Sequence, residues 1–446
     1  MKTALYSRLA VSALLLSALL TWAEASSPAK SRYDELVSAM RQAREHKDWQ
    51  TYLANAGQLQ QFLNGAPITW LNLARGELHT GSSEKALRSV GHFVSMGQSA
   101  DLLLNSSEFA VLRDNPKFAA IRERMAANDS PVANSTLASD IAELGLVAED
   151  IDYDPHSHKF FVTSIQKKKI ISIDAQGNTT DFAVAPDGWP MMALKIDAQR
   201  RVMWATEVAL KDFTSVAKSD WGKSIVLGFD LDRGALLYRI EGPPDSALGD
   251  MVLLRNGDPL ISDGQGGGVY RLLRATQSLE RVDDGSFLSP QTPALFPDGR
   301  HVFVPDYLRG IGVLDLTTKQ VRWIPMEDKY ALNGIDGLYF SHGSLMVTQN
   351  GTSPERVITF KLEPSLSAIA SSSVVERATK TLGDPTHGVI VGHDFYYIAN
   401  SGWDTLNDDG TVKSDAKLTP VHIMRVHLNC DCRSKAAHNP SSAPAR

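Results

Sequence analysis

The chain has 446 residues, of which 43% are hydrophobic, and it carries a formal net charge of −6. This length allows two or three domains with a sizeable core, and the absence of any long basic run argues against a nucleic-acid partner. At the start of the chain, a basic stretch ending at Arg8 precedes an apolar run over residues 9–22 and the triplet Ala23-Glu24-Ala25. This order is typical of a secretory signal peptide over residues 1–25, so we expect a periplasmic or secreted protein. No other segment is apolar enough to predict a membrane span in the mature chain.

Residues 33–125 have apolar positions at helical spacing and predict a small all-α domain. Trp70, Ala74 and Ala86 fall at the spacing of the tetratricopeptide signature, so the segment resembles a tetratricopeptide-like domain over about one repeat. A generic helical bundle is the alternative. In either case we expect packing or the binding of a protein partner, because nothing in the segment looks catalytic.

The composition changes across a polar, proline-containing stretch at residues 126–138, which predicts a linker. From residue 139 onwards, short β-rich runs separated by Asp-Gly and Asn-Gly turns predict a mainly β domain. A hairpin followed by a third strand recurs six times, at intervals of roughly 40 to 66 residues. This repeat predicts a six-bladed β-propeller over residues 139–430, with an open β-sandwich as the alternative. We expect residues 135–142 to close the ring by supplying the fourth strand of the last blade.

The end of the chain has two separate features. Cys430 and Cys432 flank a single residue, and a disulfide ring across so short a segment would be strained. An intermolecular or labile pairing is therefore as consistent with the sequence as a structural bond, and two surface thiols without a role are a further alternative. Residues 433–446 are rich in Ser, Ala, Pro and Asn and predict a disordered tail.

The inner strand of each propeller blade starts near one mouth of the central channel, so the residues just before these strands converge on the axis. In this chain, those positions carry side chains that can hold a ligand or move a proton. In blade order they are Glu149 with Asp150, Trp189, Asp250, Gln291, Asn333 with Asp336, and His387. The sequence therefore predicts a site on the axis, with Asp336 facing Glu149.

Two of these segments carry a family resemblance. The run Glu149-Asp150-Ile151-Asp152-Tyr153-Asp154 resembles the first-blade motif of the regucalcin and gluconolactonase group of six-bladed propellers. The run Asp336-Gly337-Leu338-Tyr339-Phe340 is similar to a second motif of that group, and Pro297-Asp298-Gly299 to one of its hairpins. The resemblance covers residues 139–430.

The resemblance implies a divalent cation on the axis, held in that family by a glutamate, an aspartate and asparagines. The ligands carried over are Glu149 and Asp336, and Gln291 takes a place where the family has an asparagine. Gly249, which has no side chain to offer, stands at the other such place. Oxygen ligands from several blades suit Ca²⁺, or Mg²⁺ and Mn²⁺ with waters.

Asp336 and His387 are the predicted catalytic residues. The ion would polarise a lactone carbonyl and lower the pKa of a bound water, with Asp336 as the base. His387 is an addition to the family pattern and can act as a ligand, a general base or a hydrogen-bond donor to substrate. Trp189, Asn333 and Asp250 are the predicted substrate-binding residues; Trp189 can instead pack within the protein, and Asp250 can instead anchor its strand.

The sequence thus favours an exported, metal-dependent hydrolase of the lactonase type that acts on a sugar lactone or a related ester. The alternative is a non-catalytic propeller that binds a ligand or protein, with the helical domain as a docking module. The number of converging donors separates the two hypotheses. Three or more oxygen donors within about 2.3–2.6 Å of one point on the axis favour the enzyme with Ca²⁺, and two carboxylates alone favour the binding protein.

Overall fold

A computed structural model of the chain describes residues 27–327 and 329–428. The predicted signal peptide at residues 1–25, the pair Cys430 and Cys432, and the predicted tail at residues 433–446 lie outside these residues. Within the described part, no helix is both long enough and apolar enough to cross a membrane.

Six antiparallel sheets form a ring of six blades, which confirms the predicted fold class. The strands of the first three blades are β3 (Ala148–Asp154), β4 (Lys159–Ser164), β5 (Lys169–Ile173), β6 (Thr179–Val184), β7 (Met191–Asp197), β8 (Val202–Val208), β9 (Ser224–Asp230), β10 (Leu236–Glu241), β11 (Leu248–Leu253), β12 (Pro259–Asp263), β13 (Gly268–Leu273) and β14 (Ser278–Arg281). The strands of the last three are β15 (Ala294–Leu295), β16 (His301–Asp306), β17 (Gly310–Asp315), β18 (Val321–Trp323), β19 (Gly337–Ser341), β20 (Ser344–Gln349), β21 (Arg356–Leu362), β22 (Ile369–Arg377), β23 (Gly388–Val391), β24 (Asp394–Ile398) and β25 (Val421–His427). Two further strands, β1 (Val132–Ala133) and β2 (Thr136–Ile141), precede the first blade.

The ring closes through β2, as the sequence predicted. This strand pairs antiparallel with β25, with Ile141 opposite Val421 and Thr136 opposite Arg425. The sixth blade therefore combines the start of the propeller domain with its end. Hydrogen bonding between the two ends removes the open edge that a linear array of blades would leave.

The stretch at residues 126–138 differs from the linker that its composition predicts. It contains the end of a helix, all of β1 and the start of β2. Val132 pairs with Arg377, so β1 adds a fifth strand to the outer edge of blade five. Outer strands of a propeller face solvent, and polar residues are therefore compatible with strand structure here.

Side-chain hydroxyl groups on the second strands of blades one, three and five donate hydrogen bonds to the next blade. Thr163 Oγ1 donates to the carbonyl of Met192 at 2.7 Å, and Ser262 Oγ donates to the carbonyl of Gln291 at 2.8 Å. Thr348 makes the equivalent bond to Thr386, the residue before His387. These bonds hold the segments that lead into the inner strands of the following blades. They therefore help to position the side chains that face the axis.

The N-terminal region is helical, as predicted, and contains seven α-helices in the described residues. They are α1 (Pro28–Glu45), α2 (Trp49–Phe62), α3 (Pro67–His79), α4 (Ser83–Ser95), α5 (Asp101–Asn105), α6 (Ala110–Arg113) and α7 (Phe118–Asn128). Short 3₁₀ turns lie at Ser107–Phe109 and Trp403–Thr405. Ala74 and Ala86 are fully buried where α3 meets α4, since only small residues allow two helices to approach so closely.

The helical domain and the propeller share one hydrophobic core. Leu36, Leu59 and Leu63 belong to the same buried cluster as Leu332 and Phe360 of blades four and five. Both the helical domain and the propeller bury apolar surface in this cluster. Separating them would expose that surface to water, which is unfavourable. The helices are therefore part of the folded body and do not form a separate module on a linker.

Polar contacts show which face of the propeller the helices cover. The Arg309 guanidinium lies between the rings of Phe62 and Trp323, at 4.5 and 4.4 Å from their centroids. Lys30 Nζ donates to the carbonyl of Gln265 at 2.7 Å. Arg309 and Gln265 lie in turns between second and third strands. In an antiparallel meander these turns are on the face where the first strands begin, so the helices cover part of the face that carries the predicted site.

Candidate functional site

Three buried side chains from three blades meet on the axis. Asp250 lies on β11, Asp336 directly precedes β19, and His387 directly precedes β23. One ligand atom from each lies within 4.8 Å of the other two. Donor atoms this close together can hold a cation, and one of them belongs to Asp250, which the sequence assigned to substrate binding.

The imidazole of His387 has close carboxylates, but neither of its nitrogens is aligned for a hydrogen bond to a described residue. Its Nε2 lies 2.7 Å from Asp250 Oδ1 and 3.9 Å from Asp336 Oδ1, and its Nδ1 lies 3.6 Å from Asp150 Oδ1. Neither ring nitrogen has a hydrogen-bond partner in the described part of the chain. Burial lowers the pKa of the imidazolium, but Asp150 and Asp250 outweigh burial and raise that pKa to about 10.

Asp336 is held by its own blade. Its backbone N–H donates to the carbonyl of Thr348 at 3.0 Å, and Asn350 Nδ2 donates to its Oδ2 at 2.8 Å. Gly334, two residues earlier, has a φ of +62° and packs against the backbone of Gly351 so closely that a Cβ atom would lie 2.6 Å from it. A glycine is therefore needed for the turn that delivers Asp336 to the axis.

The Asp336 carboxyl titrates near neutrality in this setting. Burial raises its pKa, the His387 cation opposes that rise, and the neighbouring Asp250 adds to it, with a result of about 7. A carboxyl group with a pKa near the operating pH suits general acid–base chemistry.

Glu149 contacts Trp403, which comes from an insertion in blade six. Trp403 Nε1 donates to Glu149 Oε2 at 2.5 Å. Burial raises the pKa of the Glu149 carboxyl and the charge of Asp336 adds to the rise, to about 8. The Glu149 carboxyl therefore lies close enough to Asp336 for their charges to interact.

Asp150 and Asp152 anchor the first blade to the second. Lys195 Nζ donates to both oxygens of Asp150 at 2.9 and 2.8 Å, and the backbone N–H of Leu194 donates to Asp150 Oδ2 at 2.7 Å. Asp152 Oδ2 accepts the backbone N–H of Ile196 at 2.7 Å. These two carboxylates are thus engaged within the protein.

Acidic groups outnumber basic ones in this cluster. Two cationic side chains, Lys195 and His387, meet five carboxyl groups, those of Glu149, Asp150, Asp152, Asp250 and Asp336. Buried charge without a counter-ion is costly, so the excess must be relieved by protons or by a cation. The raised pKa of Glu149 and of Asp336 means that protons relieve part of this excess in the metal-free protein.

The Asp250, Asp336 and His387 set fits a divalent ion. The two carboxylates offer hard oxygen donors, and the His387 nitrogens are buried without a hydrogen-bond partner among the described residues. Thr292 Oγ1 donates to Asp250 Oδ1 at 2.6 Å and holds that carboxylate in place. A histidine nitrogen beside two carboxylates suits Mn²⁺, Fe²⁺ or Zn²⁺ better than the all-oxygen site typical of Ca²⁺.

Gln291, a predicted metal ligand, lies at the start of blade four. Its side-chain nitrogen donates to the carbonyl and to Oγ of Ser289, at 3.2 and 3.1 Å, and lies against Gly264 of blade three. The main-chain carbonyl of Gln291 accepts a hydrogen bond from Ser262 Oγ. The side-chain nitrogen of Gln291 is thus bonded to Ser289, and the Oε1 atom is the part of this side chain that could contact a cation.

The other predicted substrate-binding residues have different settings. Trp189 is buried in an apolar cluster with Phe213 and Val216, and its backbone N–H donates to Glu207 Oε1 at 2.7 Å. The Oδ1 atom of Asn333 is buried without a hydrogen-bond partner in the described residues. Asn333 thus offers an acceptor to an incoming hydroxyl or water, whereas Trp189 packs within the protein.

Two insertions meet above the first and second blades. The segment 209–223 follows β8, and the segment 399–420 follows β24. Phe213 and Trp403 are in edge contact with centroids 6.3 Å apart, and Thr214 N donates to the carbonyl of Asp409 at 2.9 Å. Together with the helices over blades three to five, these insertions cover the mouth from which the axis residues begin.

Sequence reasoning identified Glu149, Asp336 and His387 as axis residues but did not assign the residues that hold the carboxylates in place. Asn350 and Thr292 stand one strand or one blade away from the carboxylates they hold. Asn350 directly follows an inner hairpin, and Thr292 lies just before one. The axis residues also lie just before inner hairpins, so this position in the repeat could have identified both residues.

No protein-family model and no curated protein matches the chain. Solved structures similar to it include a gluconolactonase from Xanthomonas campestris, at 12% identity over 68% of this chain and 92% of that chain, with a TM-score of 0.43. An oxidoreductase (glucose dehydrogenase) from Thermus thermophilus shows 14% identity over 64% and 98%, with a TM-score of 0.43. A streptogramin B lyase shows 16% identity over 65% and 97%, with a TM-score of 0.42. Such similarity concerns the fold alone.

Proposed function

We propose that the protein is an exported hydrolase of the lactonase type, whose axis site holds a divalent cation through Asp250, Asp336 and His387. The observation that carries the proposal is the convergence of these three buried donors within 4.8 Å of one another. The set combines two carboxylate oxygens with one histidine nitrogen, so three donors of mixed type surround one point. The proposed substrate is a sugar lactone or a related ester.

The residues around the cation have distinct roles in the proposed reaction. The cation would supply Lewis-acid chemistry to a carbonyl group when bound. Asp336 takes the proton of the attacking water, and the hydrogen bond from Asn350 fixes the orientation of its carboxylate. The Asn333 Oδ1 atom accepts a hydrogen bond from a substrate hydroxyl group.

The test combines metal analysis with an activity screen. Purified protein is loaded with Mn²⁺, Zn²⁺ or Ca²⁺, its bound metal is measured, and it is assayed on γ- and δ-lactones of sugar acids and on aryl esters. Asp336→Asn keeps the size of the side chain and should lose both the metal and at least about a hundredfold of the activity. Asp114→Asn removes an exposed carboxylate of the helical domain and should change neither.

A non-catalytic propeller is the second candidate, and one observation favours it. The side chains of His387, Asp250 and Asp336 are only 2%, 5% and 11% exposed. A cation enclosed in this way would serve to neutralise charge and stabilise the ring. Stoichiometric metal that raises the melting temperature, together with no turnover of any lactone or ester, would favour this candidate and reject the hydrolase.

A further inference from the structure

Three exposed histidines lie together on the face opposite the axis site. His342 is at the tip of the β19–β20 hairpin, His393 is at the tip of the β23–β24 hairpin, and His427 ends β25. The His393 ring lies 6.3 Å, centroid to centroid, from the His342 ring and 6.3 Å from the His427 ring. Adjacent blades thus bring three imidazoles to one patch.

The backbone holds these positions firmly. Asp394 and His427 are direct partners in the β24–β25 ladder, and the backbone N–H of Leu428 donates to the carbonyl of His393 at 2.7 Å. His342 is carried by the tight turn between Ser341 and Ser344, which are partners in the β19–β20 ladder. Only side-chain torsions are therefore needed to change the distances between the rings.

Hydrogen bonds to the Nδ1 atoms match those that support metal-binding histidines. His427 Nδ1–H donates to Asp394 Oδ1 at 2.8 Å, and this bond places the lone pair of the neutral ring on Nε2. His342 Nδ1 shares a hydrogen bond of 2.7 Å with Ser341 Oγ. A carboxylate or hydroxyl group behind the ring fixes its tautomer and raises its affinity for a metal ion.

We propose that His342, His393 and His427 form a surface site for a borderline transition-metal ion such as Zn²⁺ or Cu²⁺, separate from the axis. Neutral imidazole nitrogens are the preferred ligands of these ions, whereas Ca²⁺ and Mg²⁺ require oxygen. Two imidazoles that share one ion stand with ring centres about 5 to 6 Å apart. The observed spacing of 6.3 Å is close to this, and exposed rings can rotate the remaining distance.

The surface site and the axis site are too far apart to share an ion. Asp336 precedes β19 and His342 follows it, so the five residues of that strand separate them. At about 3.3 Å per residue this strand spans about 17 Å. Loss of one site should therefore leave the other intact, and failure of the hydrolase proposal would not affect this one.

The experiment counts bound ions by isothermal titration with Zn²⁺. The parent is the full chain carrying Cys430→Ser and Cys432→Ser, because thiolates bind soft ions by themselves and follow His427 by only three and five positions. His393→Ala and His342→Ala are compared with His156→Ala, which removes an exposed histidine from the equivalent hairpin tip of blade one. Circular dichroism verifies the fold of each variant.

The expected result is a loss of one Zn²⁺ per chain in His393→Ala and His342→Ala, with no change in His156→Ala. Asp394→Asn should weaken the same ion about 10- to 100-fold through the His427 ring. With Cu²⁺, electron paramagnetic resonance should show nitrogen coupling from at least two imidazoles. If His393→Ala binds the same number of ions with the same affinity as the parent, the proposal is wrong.

Discussion

His387 Nε2 lies 2.7 Å from Asp250 Oδ1, yet the two atoms are not aligned for a hydrogen bond, and both side chains are buried. Two groups held this close can share either a proton or a cation. A shared cation would use the His387 lone pair and the Asp250 charge together. Without a cation, the imidazole must carry a proton to balance the surrounding carboxylates.

The first prediction concerns the pH dependence of stability in the metal-free protein. The pKa of Asp336 is raised to about 7 and that of Glu149 to about 8, so the folded state holds protons that the unfolded state has released above about pH 4. The pKa of His387 is raised to about 10, so its contribution is complete below about pH 6.5 and is lost as the pH rises toward 10. All three shifts have the same sign.

Stability in the presence of a chelator should therefore fall steadily from pH 5 to pH 9, by several kcal/mol at about 1.4 kcal/mol per pKa unit. Urea unfolding at intervals of one pH unit measures this slope. Asp336→Asn, which removes one of the titrating groups at the axis, should flatten it. A metal-free protein equally stable at pH 5 and pH 9 would contradict the charge distribution described for the axis.

The second prediction concerns Lys195, the only described lysine in contact with Asp150. Lys195→Met keeps much of the aliphatic packing but leaves the buried Asp150 carboxylate without its lysine partner. Removing one partner of such a pair typically costs about 3 to 5 kcal/mol. The free energy of unfolding at pH 7 measures the loss. Lys167→Met, an exposed neighbour in blade one, should cost less than about 0.5 kcal/mol, and equal losses in both variants would refute the anchoring role.

The third prediction concerns the hydrogen bond from Trp403 to Glu149. Trp403→Phe removes the N–H donor and retains an aromatic ring. Because Glu149 has a pKa of about 8, it is ionised at pH 9 and protonated at pH 6. A bond to a charged acceptor is worth about 1.5 to 3 kcal/mol, and a bond to a neutral acceptor about 1 kcal/mol. Trp403→Phe should therefore lower the free energy of unfolding more at pH 9 than at pH 6.

Trp221→Phe provides a matched control for Trp403→Phe. Trp221 belongs to the other insertion, and its Nε1 atom is buried without a hydrogen-bond partner in the described residues. Trp221→Phe removes an indole N–H that has no hydrogen-bond partner in the described residues. Its effect on the free energy of unfolding should therefore not depend on pH. If the two variants show the same difference between pH 6 and pH 9, the bond to Glu149 has no role in setting the charge at the axis.

The periodic parts of the fold were predictable from the sequence because they depend on local patterns. Alternating apolar residues and glycine turns marked each hairpin, and the ring closure by residues 135–142 followed from the missing strand of the last blade. The positions of Glu149, Asp336 and His387 on the axis followed from the same counting. These inferences need only the regular alternation of strand and turn.

The orientation of Asp250 could not be predicted in the same way. The pairing of β11 with β12 slips by one residue between Leu248 and Asp250. A bulge of this kind reverses which side chains face the axis, so counting along the strand cannot decide between Gly249 and Asp250. Trp403 was equally beyond local patterns, since its contact with Glu149 joins residues 254 positions apart.

The fourth prediction concerns the shared core of the helices and the propeller. Leu36 on α1 is 1% exposed and packs in the cluster that includes residues of blades four and five. Leu36→Ala should cost about 2 to 5 kcal/mol through lost burial and the cavity left behind. Because the core is continuous, the loss should lower the unfolding midpoint of the whole molecule, followed together by helical ellipticity and by tryptophan fluorescence. Val37→Ala, at a neighbouring position that is 36% exposed, should have a much smaller effect. Two separate transitions, with only the helical one shifted by Leu36→Ala, would show that the helices fold independently of the ring.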